Sequence, residues 1–315
     1  MKAVMYHYVR PDSPEFPHFR HLHIDDFKAQ LDYFEKEYGF VKREDFLNAF
    51  SGGDLPSGVL LTFDDGLADH YATVLPELQK RGLWGIFYVP TDPHMSGKML
   101  SVHRTHLLLG AFGGNAVLEK TREAITDDML ANEHREDFRT LTYTSQNNDE
   151  AATLVKRILN YYLGSEYRDT VLDSLMSAFF PDEPSRFAHF YLSPSEMKEM
   201  QEAGMIVGSH GVSHRVMSTL PAAEQEKEIC DSFAFLEKTL GTLPVKTYCH
   251  PYGGAYSYND NTLNILSKEK CLFSFDVNPR DITAEDCAEH PQTLPRYDCN
   301  QFPHGTVRAL AASTA

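Results

Sequence analysis

Two adjacent carboxylates are the first residues in this sequence that could do chemistry. Asp64 and Asp65 lie in the segment LTFDDG, directly after an apolar run and before Gly66. If both were buried and charged they would repel each other, and the pKa of one would rise unless a cation compensated. In a hydrolytic site the two carboxylates of such a pair can have different roles, because one can bind a divalent metal while the other acts as general base toward water.

Two histidines four residues apart form a second cluster. His210 and His214 lie in SHGVSH, again after an apolar run. Neutral imidazole is a frequent metal ligand, and a helical turn at this spacing would bring both rings to one ion. The chain has 15 histidines, so a pair at this spacing also arises by chance. The pair therefore indicates a metal site only in combination with the two carboxylates.

A third cluster, HPYGG, contains His250, Tyr252 and Gly253 and follows the predicted strand 245–249. Taken alone it is typical of a turn. All three clusters, however, follow predicted strands, and in parallel α/β folds ligands bind at the carboxyl ends of the strands. One carboxylate and two imidazoles leave positions open on a divalent metal for water and substrate. Together the clusters predict a metal-dependent hydrolytic site.

Short apolar runs alternate with helical patterns along most of the chain. Apolar residues at 4-3-4 spacing predict helices over 25–38 and 221–240, and Ser193, Pro194 and Glu196 predict a capped helix start. The runs predicted as strands are 3–9, 59–63, 83–89, 205–208, 245–249, 271–277 and 293–297. About seven strands separated by helices predict an α/β fold with a parallel sheet, either a barrel or an open sheet.

The alternation breaks between residues 91 and 190. Helical stripes over 154–162 and 171–179 indicate a helical insertion, because an unstructured loop of that length would be improbable. We therefore divide the chain into a (β/α) unit of 1–92 and 190–315 and a helical insertion or cap of 93–189. Since the insertion follows a strand end, we expect it to narrow the cleft and select small substrates. Its apolar stripes are equally suited to a dimer contact.

The charge balance argues against two classes of partner. There are 29 Lys+Arg and 45 Asp+Glu in 315 residues, a net charge of −16, which disfavours nucleic acid and anionic membrane surfaces. The five cysteines are odd in number and none form a C-x-x-C pair, which is typical of reduced thiols in a cytosolic protein. The first residues lack the apolar segment of a signal peptide. We therefore expect a cytoplasmic protein.

The motifs LTFDDG, SHGVSH and PYG, in this order on alternating strands and helices, resemble those of the polysaccharide deacetylase family (carbohydrate esterase family four, with the chitooligosaccharide deacetylase homology domain). The opening YHYV and the stretch SPSEMKEMQEAGMIVGSHGVSH are also similar to that family, so the resemblance covers about 1–92 and 190–300. It implies a distorted, incomplete (β/α) barrel of about seven parallel strands and metal-dependent removal of an acyl group, usually N-acetyl from an amino sugar.

The resemblance also implies roles by position. Asp64 matches the catalytic base, and Tyr252 matches the position whose backbone N–H supports the oxyanion. Where the family often has an arginine before PYG, this chain has His250, and we expect Arg296, in LPRYD, to supply that charge and orient the base. The resemblance also implies a bound metal, zinc or alternatively cobalt, nickel or manganese. Its implied ligands are Asp65, His210 and His214.

The general acid is not identified by these motifs. The family's late leucine-x-histidine motif is not evident, and His304, in NQFPHG, is in a different context. His103 or His106 could reach the metal pocket from the insertion and act as the general acid, and His250 is a further candidate for that role. His7, after the first strand, could line the pocket or make a structural hydrogen bond.

We therefore predict a hydrolase of carbon–nitrogen bonds other than peptide bonds that deacetylates an amino sugar or another small acetylated sugar precursor, and that could form a homo-oligomer. Three alternatives remain. The first is an amidase or imide hydrolase acting on a non-sugar amide at the same metal site. The second is a catalytically degenerate sugar-binding protein. The third is a non-haem iron oxygenase, since two histidines and a carboxylate also form its iron site; that class favours a β-rich scaffold, whereas here the elements alternate.

Overall fold

A parallel sheet of seven strands organises the computed structural model, which describes residues 1–130, 149–183 and 187–310, with only the backbone of 165 and 166. The strands run in the order β8-β7-β6-β5-β4-β1-β9, and every neighbouring pair is parallel. They are β1 (Lys2–Tyr6), β4 (Val59–Phe63), β5 (Ile86–Val89), β6 (Ile206–Ser209), β7 (Thr247–Cys249), β8 (Phe273–Phe275) and β9 (Tyr297–Asp298). The predicted fold class, a distorted and incomplete (β/α) barrel, is confirmed.

The described residues divide into two compact units. Unit 1 comprises Met1–Pro11, His21–Gly97 and His189–Val307. Unit 2 comprises Asp12–Arg20, Lys98–Ala188 and the chain from Arg308. The central boundaries lie close to the limits predicted for the insertion, whereas the grouping of Asp12–Arg20 with unit 2 has no signal in the sequence.

Helices of unit 1 connect the strands. The predicted helix 221–240 appears as Ala222–Leu240, and the predicted capping box of Ser193 and Glu196 is present in both directions. The helix after β4 begins as a π-helical turn at His70–Val74 before it becomes α-helical. The helices are α1 (Ile24–Glu37), α2 (Arg43–Ala49), α3 (Leu75–Arg81), α4 (Asp92–Ser96), α8 (Pro194–Glu202), α9 (Ala222–Leu240), α10 (Asp260–Lys268) and α11 (Ala284–Glu289).

The first and last strands differ from the sequence prediction. The predicted strand 3–9 breaks after Tyr6, and its end forms β2 (Val9–Arg10), which pairs with β3 (Leu22–His23) in a separate small sheet. The predicted strand 293–297 shrinks to β9, because Pro291–Thr293 forms a 3₁₀ turn. The pattern of apolar residues does not reveal the break after Tyr6, because Met5, Tyr6, Tyr8 and Val9 are all buried.

The segment 294–298, which ends in β9, links β8 at one edge of the sheet to β1. β9 pairs with Val4 and Met5 of β1, while Leu294 makes an isolated parallel bridge to Phe275 of β8. Arg296 lies between these two contacts and is fully buried. This placement brings a cation into the apolar interior, where it must find partners.

Strand alternation separates two sides of the sheet. Leu61, Phe63 and Phe87 belong to one apolar cluster, while Leu60, Ile86 and Tyr88 belong to another. Since side chains two residues apart share a face, Thr62 and Asp64 continue the face of Leu60. Polar residues therefore follow apolar ones on that face as the strands reach their carboxyl ends.

The described part of unit 2 is mainly helical between Lys98 and Phe180. It contains α5 (Ser101–Ala124), α6 (Glu150–Arg157) and α7 (Ser165–Phe179), and α5 packs against the other two. Glycine allows α5 to break at Gly113, whose φ is 76°. That this insertion caps the cleft or forms a dimer contact stays a prediction. In the described part of the chain, no helix combines the length and apolar character needed to span a membrane.

Candidate metal centre and active site

Three strand ends bring the predicted residues to one edge of the sheet. Asp64 and Asp65 directly follow β4, His210 follows β6, and His250 follows β7. The ladder continues one residue beyond each strand, because backbone N–H groups donate from Asp64 to Tyr6, from His210 to Val89, and from His250 to Phe275, at 2.9–3.0 Å. These positions are therefore fixed by the sheet itself rather than by mobile loops.

Asp65, His210 and His214 form a group that fits a metal ion. All three are buried, and their candidate ligand atoms lie within 4.8 Å of one another. Asp65 Oδ1 is 3.6 Å from His210 Nε2 and 3.4 Å from His214 Nε2. Ligand atoms about 2.1 Å from a tetrahedral metal lie about 3.4 Å apart, so the donor set matches zinc in chemistry and in spacing.

Backbone conformation supports a functional role for this group. Asp65, His214 and Tyr252 have φ values of 80°, 54° and 64°, a region that residues other than glycine seldom adopt. Such conformations persist only where the surroundings enforce them, and they concentrate at functional sites.

His210 is held as a neutral imidazole with a defined tautomer. Its Nδ1 lies 2.8 Å from the carbonyl oxygen of Cys249. A carbonyl can only accept, so Nδ1 carries the proton and Nε2 presents its lone pair toward Asp65. Burial lowers the pKa of His210 below its usual value, against the opposing charges of Asp64 and Asp65. Metal ligation requires this neutral form.

Asp64 has a different partner from its neighbour. Two nitrogens of Arg296 donate to the two carboxylate oxygens, Nη1 to Oδ1 and Nη2 to Oδ2, each at 2.8 Å. Burial alone would raise the pKa of Asp64, but the charge and hydrogen bonds of Arg296 outweigh it and hold the pKa below its ordinary value. Asp64 is therefore an oriented carboxylate at neutral pH.

The remaining donors of Arg296 are also bound. Nε donates to the backbone oxygen of Asp276 at 3.2 Å, and Nη1 to Thr62 Oγ1 at 3.0 Å. Nη2 lies 2.9 Å from Cys249 Sγ. All five N–H groups of a guanidinium are thus used, which is what a buried arginine needs.

Cys249 was missed as a site residue by the sequence analysis, where it counted only as one of the dispersed cysteines. Its Sγ lies 3.5 Å from Asp64 Oδ2, and with Asp64 and His210 it forms a second group of potential ligands. The guanidinium of Arg296 already supplies the cation at this place, so a metal there would face like charge. The group of Asp65, His210 and His214 is therefore the better metal site.

Tyr252 lies beside the histidines. Its ring centroid is 5.0 Å from that of His214. The N–H of Gly253 donates to the carbonyl of His250 and closes the turn that carries Tyr252. Tyr252 is thus a neighbour of the candidate metal ligands, and the oxyanion role of its backbone N–H stays a prediction.

The candidates for the general acid have different surroundings. The Nε2 of His250 donates to the carbonyl of Gln292 at 2.9 Å, its ring stacks on Tyr258, and burial lowers its pKa to about 4, so it is neutral at pH 7. His304 is exposed. His103 and His106 belong to unit 2, where their ring centroids are 6.2 Å apart.

His7 and His70 are linked near the end of β1. The Nε2 of His70 donates to the carbonyl of His7 at 2.9 Å, and burial lowers the pKa of His70. His70 was not among the residues predicted from the sequence for the site. The one sequence feature that could have pointed to it is its position on the buried side of the helix after β4.

Asp276 leads to a prediction about pH and stability. Its Oδ2 accepts from the Tyr258 hydroxyl at 2.9 Å, and burial raises its pKa to about 6. The unfolded chain ionises this group near pH 4, so the folded state binds the extra proton between about pH 4 and 6 and loses stability as pH rises through that window. Two pKa units correspond to about 3 kcal/mol.

Asp276→Asn is therefore expected to raise the free energy of unfolding relative to the parent protein more at pH 8 than at pH 4.5, measured by urea unfolding. Asp281 is a matched control, because its hydrogen bond to Lys2 holds its pKa below the usual value despite burial. Asp281→Asn should show the opposite pH trend. An Asp276→Asn effect that is equal at both pH values would contradict the assignment.

Comparisons with known proteins concern the family and the fold of the chain. The family model described as polysaccharide deacetylase matches residues 53–271. No curated protein matches the chain. A deacetylase of Streptococcus pyogenes, PplD, solved in complex with acetate, is similar at a TM-score of 0.58 and 20% identity, over 95% of this chain and 91% of that chain.

Two further solved structures share the fold. IcaB from Ammonifex degensii has a TM-score of 0.53 and 18% identity, over 94% of this chain and 89% of that chain. The deacetylase domain of BpsB from Bordetella bronchiseptica has a TM-score of 0.52 and 14% identity, over 94% of each chain. At these identities the likeness concerns the fold alone, whereas the family model covers more than half of the chain. The protein therefore belongs to the polysaccharide deacetylase family, whose members hydrolyse carbon–nitrogen bonds other than peptide bonds.

Proposed function

We propose that this deacetylase removes the N-acetyl group of an amino-sugar residue, with Asp64 as general base and a zinc ion bound by Asp65, His210 and His214. The observation that carries the proposal is the division of the two adjacent carboxylates. Asp64 is bound by the guanidinium of Arg296, while Asp65 faces two imidazoles. Adjacent carboxylates with separate partners are suited to separate tasks.

A divalent metal at this place would polarise the acetyl carbonyl and acidify a water molecule. Asp64 would accept the proton of the attacking water on a carboxylate oxygen that Arg296 holds in a fixed orientation. The backbone N–H of Tyr252 would donate to the developing negative charge of the acetyl oxygen. His210, kept neutral by burial and by its bond to Cys249, would keep its lone pair directed at the ligand site.

Acetate release tests the function directly. The protein is stripped of metal, then assayed with Zn²⁺, Co²⁺, Ni²⁺ or Mn²⁺ on N-acetylated sugars of increasing chain length, on an O-acetylated sugar and on a non-sugar amide. We expect metal-restored release from the N-acetylated sugars. Release only from the non-sugar amide would favour the amidase alternative, and the dependence on chain length separates a small precursor from a polymer.

The metal ligands can be tested by binding alone. Asp65→Asn and His210→Ala are each expected to lower zinc affinity by more than about 100-fold, since even residues that only support a ligand are worth 10–100-fold. Cys249→Ala is the matched variant, because Cys249 belongs only to the rival group with Asp64. It should retain affinity in a chelator competition. Loss of affinity in Cys249→Ala together with retention in Asp65→Asn would place the metal in the rival group.

A further inference from the structure

The loop that carries both histidines, residues 210–214, is called the ligand loop here, and α9 holds it through a carboxylate. Glu228 Oε2 accepts from the backbone N–H of Val212 at 3.0 Å and of Ser213 at 2.8 Å. Its Oε1 accepts from the Ser213 hydroxyl. Consecutive backbone N–H groups that converge on one point form an anion site, and here the anion is a side chain of the protein itself.

A second residue of α9 supports the start of the loop. Ser232 lies four residues after Glu228 and so on the same helix face. Its hydroxyl is 2.5 Å from that of Ser209 and donates to the carbonyl of Ile229, while Ser209 Oγ accepts from the N–H of Gly211. The N–H groups of Gly211, Val212 and Ser213 are therefore all bound to side-chain oxygens.

The end of β5 holds the loop from the other side. The N–H of Thr91 donates to the carbonyl of Gly211 at 3.1 Å, and that of Asp92 to the carbonyl of Val212 at 2.9 Å. The loop leads directly into His214, whose φ is 54°. A residue other than glycine seldom adopts this conformation, and these bonds fix the backbone that leads into it.

We propose that Glu228 is a positioning residue of the metal centre, which acts through the backbone of Val212 and Ser213 to set the distance between His214 and Asp65. The inference rests on the ligand set proposed above. Partners that orient metal ligands without touching the ion commonly change metal affinity by about 10–100-fold. Glu228 binds backbone groups next to a ligand rather than a ligand ring, so its effect should depend on its reach and on an acceptor oxygen rather than on its charge.

Three substitutions separate reach from charge. Glu228→Ala removes the acceptor, and Glu228→Asp keeps the charge but is one methylene too short. Both are expected to bind zinc about 10–100-fold more weakly than the parent protein. Glu228→Gln keeps an amide oxygen for the two N–H groups and should remain close to the affinity of the parent protein. If Glu228→Ala fails to fold, the comparison of Asp with Gln decides.

The measurement is zinc competition against a chromophoric chelator on metal-stripped protein, together with the visible spectrum of bound Co²⁺, which reports ligand geometry. Thermal midpoints of the metal-free variants show whether the fold itself has changed. Glu224→Ala is the matched control, because Glu224 is on the same helix and pairs with Arg215, next to His214, but in an exposed bridge at 3.0 Å. It should leave affinity and spectrum unchanged.

Two results would overturn the proposal. One is a parental affinity and Co²⁺ spectrum in both Glu228→Ala and Glu228→Asp, or in Glu228→Asp alone if the alanine variant does not fold. The other is a loss in Glu228→Gln as large as that in Glu228→Asp, because an acceptor oxygen at the right reach would then not be enough to hold the loop. Failure of the ligand set looks different, since the parent protein would then bind zinc no more tightly than Asp65→Asn.

Discussion

Asp64→Asn is expected to lower acetate release by roughly 10²–10⁴ while leaving zinc affinity close to that of the parent protein. The substitution removes the proton acceptor, and an amide cannot replace it. The proposed ligands, Asp65, His210 and His214, remain in place. The measurement is kcat/KM on the best N-acetylated sugar, with zinc affinity determined on the same preparation.

The control for Asp64→Asn is another carboxylate bound to an arginine. Asp69 pairs with Arg10 at 2.6 Å, a few residues after β4, and Asp69→Asn should retain most of the rate. Since the asparagine also weakens the contact with Arg296, the free energy of unfolding is measured alongside. A folded, zinc-binding Asp64→Asn variant with nearly normal acetate release would show that Asp64 is not the base.

Arg296→Met should have the largest effect on stability, a loss of about 3–5 kcal/mol in the free energy of unfolding. Its side chain is fully buried, and its loss would leave Asp64 as a buried carboxylate without its cation. The backbone oxygen of Asp276 and the hydroxyl of Thr62 would also lose a donor. Urea unfolding at neutral pH measures the loss.

An exposed arginine provides the comparison for Arg296. Arg215 pairs with Glu224 at the surface, and Arg215→Met should change stability by no more than about 1 kcal/mol. The double variant Asp64→Asn with Arg296→Met should lose less than the sum of the two single losses, because each single change leaves a partner uncompensated. Additive losses would show that the two side chains stabilise the fold independently.

The close approach of Asp64 to Arg296 joins residues 232 positions apart. Proposing Arg296 from the sequence was feasible only because the family resemblance implies that the base has an arginine partner. The fork geometry depends on the segment 294–298, in which Leu294 bridges to β8 and β9 pairs with β1. No local pattern encodes that contact, since β9 itself is only two residues long.

The contacts of Cys249 and Glu228 could not be predicted from the sequence. The sequence places Cys249 at a strand end, but not its thiol against Asp64 and Arg296. In the sequence, Glu228 is only one of several charged residues on an amphipathic helix. Its contact with the ligand loop depends on how α9 packs in the fold. Both roles depend on how elements distant in sequence pack, which composition and periodicity do not specify.

Local patterns in the sequence were enough to predict the parallel α/β class, about seven strands and the placement of the DDG and SHGVSH motifs at strand ends. These follow from local patterns, because alternation fixes each strand and parallel strands end at a common edge. The family resemblance implied that Asp65 is a ligand and Asp64 the base, but the contacts themselves, Asp65 with the imidazoles, Asp64 with Arg296 and Glu228 with the ligand loop, depend on the packed fold. Those contacts depend on the register and curvature of the whole sheet, and these arise only when all the strands and helices pack together.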